Sequence, residues 1–184
     1  MLDNMKKFRS LNYNFNFNKE TGFFMRWGKD LKDDPSFCIF GPEILDIELT
    51  TICDGIGNYG PCSFCYKSNT LKGDYMSFET YKEMFELLRG IPVLTQIAFG
   101  IDAKCVSNPD LFRIMEYTRE NGIIPNVTVA DISDDVADKL VSVCGAVAVS
   151  RYFDKDICYD SVKRLLDRGL KQTNIHILVS NETE

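Results

Sequence analysis

Three cysteines that stand close together, Cys53, Cys62 and Cys65, are the residues of this chain best suited to chemistry. Two residues separate Cys62 from Cys65, a spacing that lets both sulfurs face one metal centre, and Cys53 offers a third sulfur. The sequence places no fourth ligand near them. A metal with an open coordination position can bind a substrate or cofactor, whereas a fully coordinated metal is structural. The three cysteines therefore predict a catalytic metal centre.

The loop between Cys53 and Cys62 has the composition of a tightly curved segment. Its eight residues include Gly55, Gly57 and Gly60. Glycine adopts positive φ angles without steric cost, so we expect this backbone to fold around a compact inorganic core.

Two plainer interpretations of the cysteines stay open. A zinc ion prefers four tetrahedral ligands, although the only histidine, His176, lies far downstream. A disulfide between two of the three thiols is the other interpretation. The remaining cysteines have no two-residue spacing among them, and we expect most of them to be small buried hydrophobic residues. They are Cys38, Cys105, Cys144 and Cys158.

At the cysteine loop the chain resembles the radical S-adenosylmethionine (radical SAM) superfamily. Members of this family hold a [4Fe-4S] cluster with three cysteines and carry an aromatic residue just before the last of them, a position that Phe64 occupies here. Their first two cysteines are usually three residues apart, whereas eight residues separate Cys53 from Cys62. The loop of this chain is therefore longer than the family's.

The resemblance implies a reaction and its cofactors. In the family, the amino and carboxylate groups of S-adenosylmethionine bind the open iron, and one electron from the cluster cleaves a sulfonium carbon bond to release a 5′-deoxyadenosyl radical. It also implies an electron donor such as flavodoxin or ferredoxin, and a small-molecule or peptide substrate that the sequence does not identify.

The resemblance further implies residues that contact the cofactor. The second strand of the family usually ends in a Gly-Gly-Glu-Pro-like motif that meets the amino group of S-adenosylmethionine. Here Gly100 matches that motif, and Asp102 stands where its acid is expected. Ser150, at the end of the fourth predicted strand, matches a polar residue near the ribose or carboxylate, and Arg151 is a second candidate for the carboxylate. Ordinary roles at strand ends are the alternative for Asp102 and Ser150.

From Pro42 onward, predicted strands and helices alternate, which indicates a parallel sheet with right-handed crossovers. One strand face is polar: Asp46 and Glu48 share a face, as do Asn126 and Thr128. His176 lies on the polar face of the fifth strand, where it either lines the interior or acts as an acid or base. The predicted strands are 44–50, 94–99, 125–130, 146–150 and 174–180, and the predicted helices are 78–88, 109–121 with Asn108 as N-cap, 133–143 and 159–168.

These features predict an α/β fold, a partial (β/α) barrel with five parallel strands, preceded by an N-terminal β-hairpin. The resemblance implies that the barrel is of the radical SAM type. Residues 1–41 form the hairpin extension and linker, and residues 42–184 form the core. The hairpin pairs 13–18 with 23–27 and either covers one end of the core or presents Trp27 as a binding platform. Because the family continues with a sixth unit, we expect either an incomplete core or a partner that completes it.

The composition of the chain limits its partners and its location. A net charge of −6 disfavours binding to nucleic acid, which needs a positive surface. The sequence has no apolar run of membrane-spanning length and no secretory core at its start, and its odd number of cysteines favours reduced thiols, so we expect a cytoplasmic protein. Our leading hypothesis is a radical SAM enzyme. The alternative is a zinc-binding or iron-sulfur-binding structural or interaction module without catalysis.

Overall fold

A computed structural model describes residues 4–179 of the chain, which form two β-sheets and four helices. Five strands pair in sequence order, all parallel, and a helix follows each of the first four. These strands are β4 (Ile44–Glu48), β5 (Gln96–Gly100), β6 (Ile124–Val129), β7 (Ala146–Arg151) and β8 (Thr173–Ile177). The helices are α1 (Phe78–Leu88), α2 (Leu111–Glu120), α3 (Asp134–Val143) and α4 (Lys155–Asp167). The predicted parallel order of the five strands is confirmed.

The two faces of the parallel sheet differ in polarity. Side chains such as Ile97, Val127 and Val149 are buried against the helices, as expected when every crossover is right-handed and the helices share one face. On the opposite face, the carboxylates of Asp46 and Glu48 remain exposed. The predicted polar face therefore exists, and it is the face that the helices leave open.

A second sheet covers the amino ends of the parallel strands. It consists of β1 (Met5–Phe8), β2 (Asn14–Asn18) and β3 (Phe24–Trp27), paired antiparallel in the order β1-β2-β3. Phe15 and Phe17 are fully buried in a cluster that includes Val93, three residues before β5, and Ile124, the first residue of β6. The prediction that this segment covers one end of the core is confirmed.

The predicted hairpin corresponds to β2 and β3, but the prediction missed β1. That strand is short and contains two adjacent lysines, so no apolar alternation reveals it, and only pairing with β2 defines it. Trp27 lies in β3 with the guanidinium of Arg9 over its ring, 4.8 Å from the centroid. Its ring face is therefore occupied within the N-terminal sheet.

Two helix starts differ from the prediction by two residues or more, and α3 begins at Asp134, one residue after its predicted start. Helix α4 begins at Lys155 and not at 159, because the carboxylate of Asp154 accepts a hydrogen bond from the Asp156 amide and caps it. Helix α2 begins at Leu111, and Asn108 is not its cap. Instead the buried amide nitrogen of Asn108 donates to the carbonyl oxygens of Leu49 and Met76, each at 3.0 Å. Asn108 thus ties the end of the first parallel strand to the start of helix α1.

Replacing Asn108 with alanine is expected to lower the free energy of unfolding by about 2–4 kcal/mol, because it removes two hydrogen bonds and leaves the Met76 carbonyl oxygen without its side-chain donor, whereas the Leu49 carbonyl oxygen keeps the Met76 amide. Chemical denaturation measures this free energy of unfolding in the variant and in the wild-type protein. The matched control is Asn121→Ala: the side chain of Asn121 is exposed and donates only to the Tyr117 carbonyl, so we expect a change within about 0.5 kcal/mol. Equal losses in the two variants would contradict the assigned role of Asn108.

Among the described residues, no helix combines the length and the apolar character that crossing a lipid bilayer requires.

Candidate functional site

A cavity of about 840 Å³ opens at the carboxyl ends of the parallel strands. Side chains from β4, β5, β6 and β7 and from the segment that follows β4 line it, and all three cysteines of the predicted centre are among them. In open α/β sheets, ligands bind at this end of the strands.

The segment from β4 to α1 carries the cysteines and folds back on itself. The amide of Cys53 donates to the carbonyl of Thr70 at 2.8 Å, and the amide of Thr51 donates to the carbonyl of Asp74 at 3.0 Å. The amide of Cys65 donates to the carbonyl of Cys62 at 3.2 Å, which closes a tight turn between these two cysteines. We call residues 53–65 the cysteine loop.

Glycines give the cysteine loop its curvature. Gly55, Gly57 and Gly60 have φ angles of +93°, +53° and +75°, as the sequence predicts. Gly55 is also packed tightly, because a Cβ atom there would lie 1.7 Å from the carbonyl oxygen of Gly60. A Cβ atom at Gly60 would meet nothing within 4 Å. Gly55 is thus required for the close approach of two backbone segments as well as for its dihedral angle.

Polar contacts join the cysteine loop to the loops after β5 and β6. The amide of Gly57 donates to the carboxylate of Asp131 at 3.0 Å, and the ammonium of Lys104 pairs with the carboxylate of Asp54 at 3.0 Å. Asp131 follows β6 and Lys104 follows β5. These contacts hold the middle of the loop above the sheet.

Aromatic contacts join the cysteine loop to the segment after β7. The rings of Tyr59 and Phe153 stack with centroids 5.0 Å apart, and Phe64 meets Tyr152 edge to face at 5.1 Å. Phe64 and Tyr152 both line the cavity. They give this wall an apolar surface beside Cys62 and Cys65.

The three thiols are half-buried and close enough to influence one another. Burial raises the pKa of the Cys62 thiol, and the neighbouring Cys53 and Cys65 raise this pKa further. The amide of Gly55 donates to the sulfur of Cys53 at 3.3 Å. All seven cysteines within residues 4–179 are free thiols, so the disulfide interpretation is not realised in this structure.

The donor set suits an iron-sulfur cluster, whose iron atoms prefer thiolate ligands. No group of three or more His, Cys, Asp or Glu side chains in the described part of the chain is arranged to hold a metal ion. In a cluster each cysteine binds a different iron atom. Three free thiols that line one cavity are therefore donors of the type that a cluster would use.

Cysteines outside the loop have different surroundings. Cys105, Cys144 and Cys158 are buried, as the sequence predicts, and burial raises the pKa of each of these thiols. Cys38 is half-buried and packs against the apolar cluster of the N-terminal sheet. Only the cysteines of the loop therefore meet in the cavity.

Two of the predicted cofactor contacts from the strands line the cavity. Gly100 lies at the end of β5, where a Cβ atom would come within 3.4 Å of the Lys67 ammonium. Ser150, near the end of β7, is 7% exposed and faces the same cavity. Phe64 contributes from the cysteine loop, as described above. Contact between these residues and a cofactor stays a prediction.

Asp102 has a different position from the one that the resemblance implies. Its buried carboxylate accepts hydrogen bonds from the amides of Lys104, Val106 and Ser107 and, at 2.7 Å, from the Ser107 hydroxyl. Its neighbours Ile101 and Ala103 line the cavity, whereas Asp102 does not. Its carboxylate organises the loop after β5.

Two further candidates also lie away from the cavity lining. Arg151 is half-buried at the end of β7, and His176 is exposed on β8, opposite Ser150 in the sheet register. Neither side chain lines the cavity. The exposure of His176 gives no support to a role as an acid or base.

Backbone strain is concentrated in the loops around the cavity. Within residues 4–179, the non-glycine residues with positive φ are Ser68, Cys105 and Phe153, at +54°, +61° and +44°. They lie in the loops after β4, β5 and β7. Such conformations cost about 1–3 kcal/mol each and occur preferentially at functional sites. All three lie at the end of the sheet where the cavity opens.

Comparison with models of protein families finds no match, and comparison with curated proteins finds none either.

Sequence reasoning missed two polar residues of the cavity, Lys67 and Asn69. The ammonium of Lys67 pairs with the carboxylate of Glu48 at 3.2 Å, and the side chain of Asn69 is buried in the wall with no partner for its carbonyl oxygen among the described residues. The charged lining residues are Asp46, Glu48 and Lys67, two carboxylates against one ammonium, which gives a charge of −1. The position of Lys67, two residues after Cys65, was the available signal.

Proposed function

We propose that this protein is a radical SAM enzyme in which Cys53, Cys62 and Cys65 hold a [4Fe-4S] cluster. The observation that carries the proposal is that three free thiols from one loop line a single cavity at the carboxyl ends of parallel strands. When bound, such a cluster supplies one electron for cleavage of S-adenosylmethionine to methionine and a 5′-deoxyadenosyl radical. The five parallel strands are then part of a partial (β/α) barrel.

The chain's own residues suit this ligand in size, charge and polarity. A cavity of about 840 Å³ is within the usual range for small-molecule sites, and its charge of −1 favours a cationic sulfonium over an anion. Phe64, Tyr152 and Ile56 supply apolar surface that excludes water from the reacting groups. Gly100 leaves room for close approach at the end of β5, and the hydroxyl of Ser150 offers a hydrogen bond from β7.

The proposal includes an electron donor and a substrate. Reduction of the cluster requires a donor such as flavodoxin or ferredoxin, and the reducing cytoplasm suits both this chemistry and seven free thiols. The substrate is a small molecule or peptide that the cavity admits beside S-adenosylmethionine.

The test is production of 5′-deoxyadenosine by the full chain. Protein loaded with iron and sulfide without oxygen should be brown, and dithionite with S-adenosylmethionine should then yield 5′-deoxyadenosine, detected by chromatography. Omitting dithionite should remove the product. A colourless protein that holds one zinc ion would favour a structural module, and a brown protein that never cleaves S-adenosylmethionine would favour an iron-sulfur module without catalysis.

A further inference from the structure

The ammonium of Lys67 is the most completely bonded charge in the cavity wall. It pairs with Glu48 at 3.2 Å and donates to the carbonyl oxygens of Thr50 at 3.3 Å and Ile101 at 3.2 Å. Its side chain is only 13% exposed. A lysine ammonium has three N–H donors, so these contacts use all of them. The ammonium of Lys67 therefore bonds only the protein itself and has no free N–H donor for a ligand.

The partners of Lys67 come from separate parts of the fold. Glu48 ends β4, Thr50 begins the segment that leads to the cysteine loop, and Ile101 follows β5. Lys67 itself lies two residues after Cys65. One side chain thus joins the end of the cysteine loop to the carboxyl ends of two parallel strands.

Two backbone positions, Ser68 and Gly100, lie next to the Lys67 side chain. Ser68 adopts φ +54°, a left-handed conformation that is costly for a residue with a side chain. Gly100 lies directly beside the lysine: a Cβ atom there would be in ordinary van der Waals contact with the terminal carbon and the nitrogen of Lys67, both at 3.4 Å, and would lie 3.2 Å from the Cα atom of Glu48.

We infer that Lys67 is a positioning residue, which fastens the cysteine loop to the sheet and places a positive charge beside the centre that the three cysteines hold. The second part of this inference rests on the proposed function. The first part concerns the protein alone and is testable without any metal.

Loss of the Lys67 charge should shift the reduction potential of the cluster in one direction, which experiment can measure. A positive group near a cluster stabilises the added electron, so loss of the ammonium should move the reduction potential to more negative values. Lys67→Met changes the charge of the cavity lining from −1 to −2, and the double variant Lys67→Met with Glu48→Gln returns it to −1. The double variant therefore separates the charge of Lys67 from its anchoring contacts.

Hydrogen exchange of the metal-free full chain tests the anchoring. In Lys67→Met we expect amides of residues 53–68 to exchange at least about tenfold faster, because three charge-assisted contacts are lost, with protection in α2 and α3 unchanged. Lys67→Arg should restore part of the protection. The control is Lys72→Met, an exposed lysine of the same segment, which should match wild type. Unchanged exchange in Lys67→Met would overturn the inference.

Electrochemistry of the loaded protein tests the charge. Lys67→Met should have a more negative potential than wild type, and the double variant should return toward wild type while its loop still exchanges rapidly. Equal potentials in wild type and Lys67→Met would overturn the charge part. If wild-type protein binds no iron, the proposed function and the charge part fail together, and faster exchange in Lys67→Met would still support the anchoring.

Discussion

Replacing Cys53, Cys62 or Cys65 with alanine will abolish the brown colour of the loaded protein and its cleavage of S-adenosylmethionine. Each variant removes one of three thiols that line the same cavity, and no other cysteine lines it. A cluster left with two protein ligands has lost a covalent attachment that no neighbouring group replaces. Iron content and 5′-deoxyadenosine yield measure the effect, and both should fall to background.

Cys38→Ala is the matched control for these variants. Cys38 is half-buried, as the three cysteines of the loop are, but it packs against the N-terminal sheet at the other end of the parallel strands. Its variant should keep the wild-type iron content and product yield. Loss of iron in Cys38→Ala, or retention of iron in any of the three loop variants, would contradict the ligand assignment.

Gly55→Ala is expected to be nearly as damaging as loss of a cysteine, although the residue has no chemistry of its own. A methyl group at Gly55 would overlap the backbone of Gly60, so the loop must move by an ångström or more. Displacements of about 1 Å in a catalytic site can cost about 100-fold in rate. We therefore expect 5′-deoxyadenosine formation to fall at least about 100-fold, with iron content reduced.

Gly60→Ala provides the comparison, because both glycines have positive φ but only Gly55 is crowded. A methyl group at Gly60 has open space and costs only the dihedral strain of about 1–2 kcal/mol. This variant should load iron and keep most of its activity. Equal effects at the two positions would show that dihedral angle, and not the packing of Gly55 on Gly60, determines the shape of the loop.

Features set by local sequence were predictable. Alternation of apolar segments identified the five parallel strands, and the limits of α1 matched those predicted. Glycine composition predicted the positive φ angles of the loop, because few other residues adopt them readily. The meeting of the three cysteines in one cavity also follows locally, since a single loop carries them all.

Features set by distant partners were not predictable. In the sequence, Lys67 resembles an ordinary surface lysine. Only the fold brings the carbonyl oxygen of Ile101, from a different β/α unit, within 3.2 Å of its ammonium. Asn108 has the sequence context of a helix cap, yet folding brings the carbonyls of Leu49 and Met76 to its amide. Asp102 stands at a strand end where a ligand contact was expected, and the amides that bond it come from the loop that follows. The groups that a polar side chain bonds are those that lie near it in the folded structure, and the linear pattern of residues does not show them.

The most direct measurement of the central claim is the iron, acid-labile sulfide and zinc content of the full chain after anaerobic loading. If three thiols of one cavity hold a [4Fe-4S] cluster, we expect about four iron atoms and four sulfides per chain, with negligible zinc. Protein that retains no iron or sulfide, or that holds a single zinc ion in their place, would contradict it.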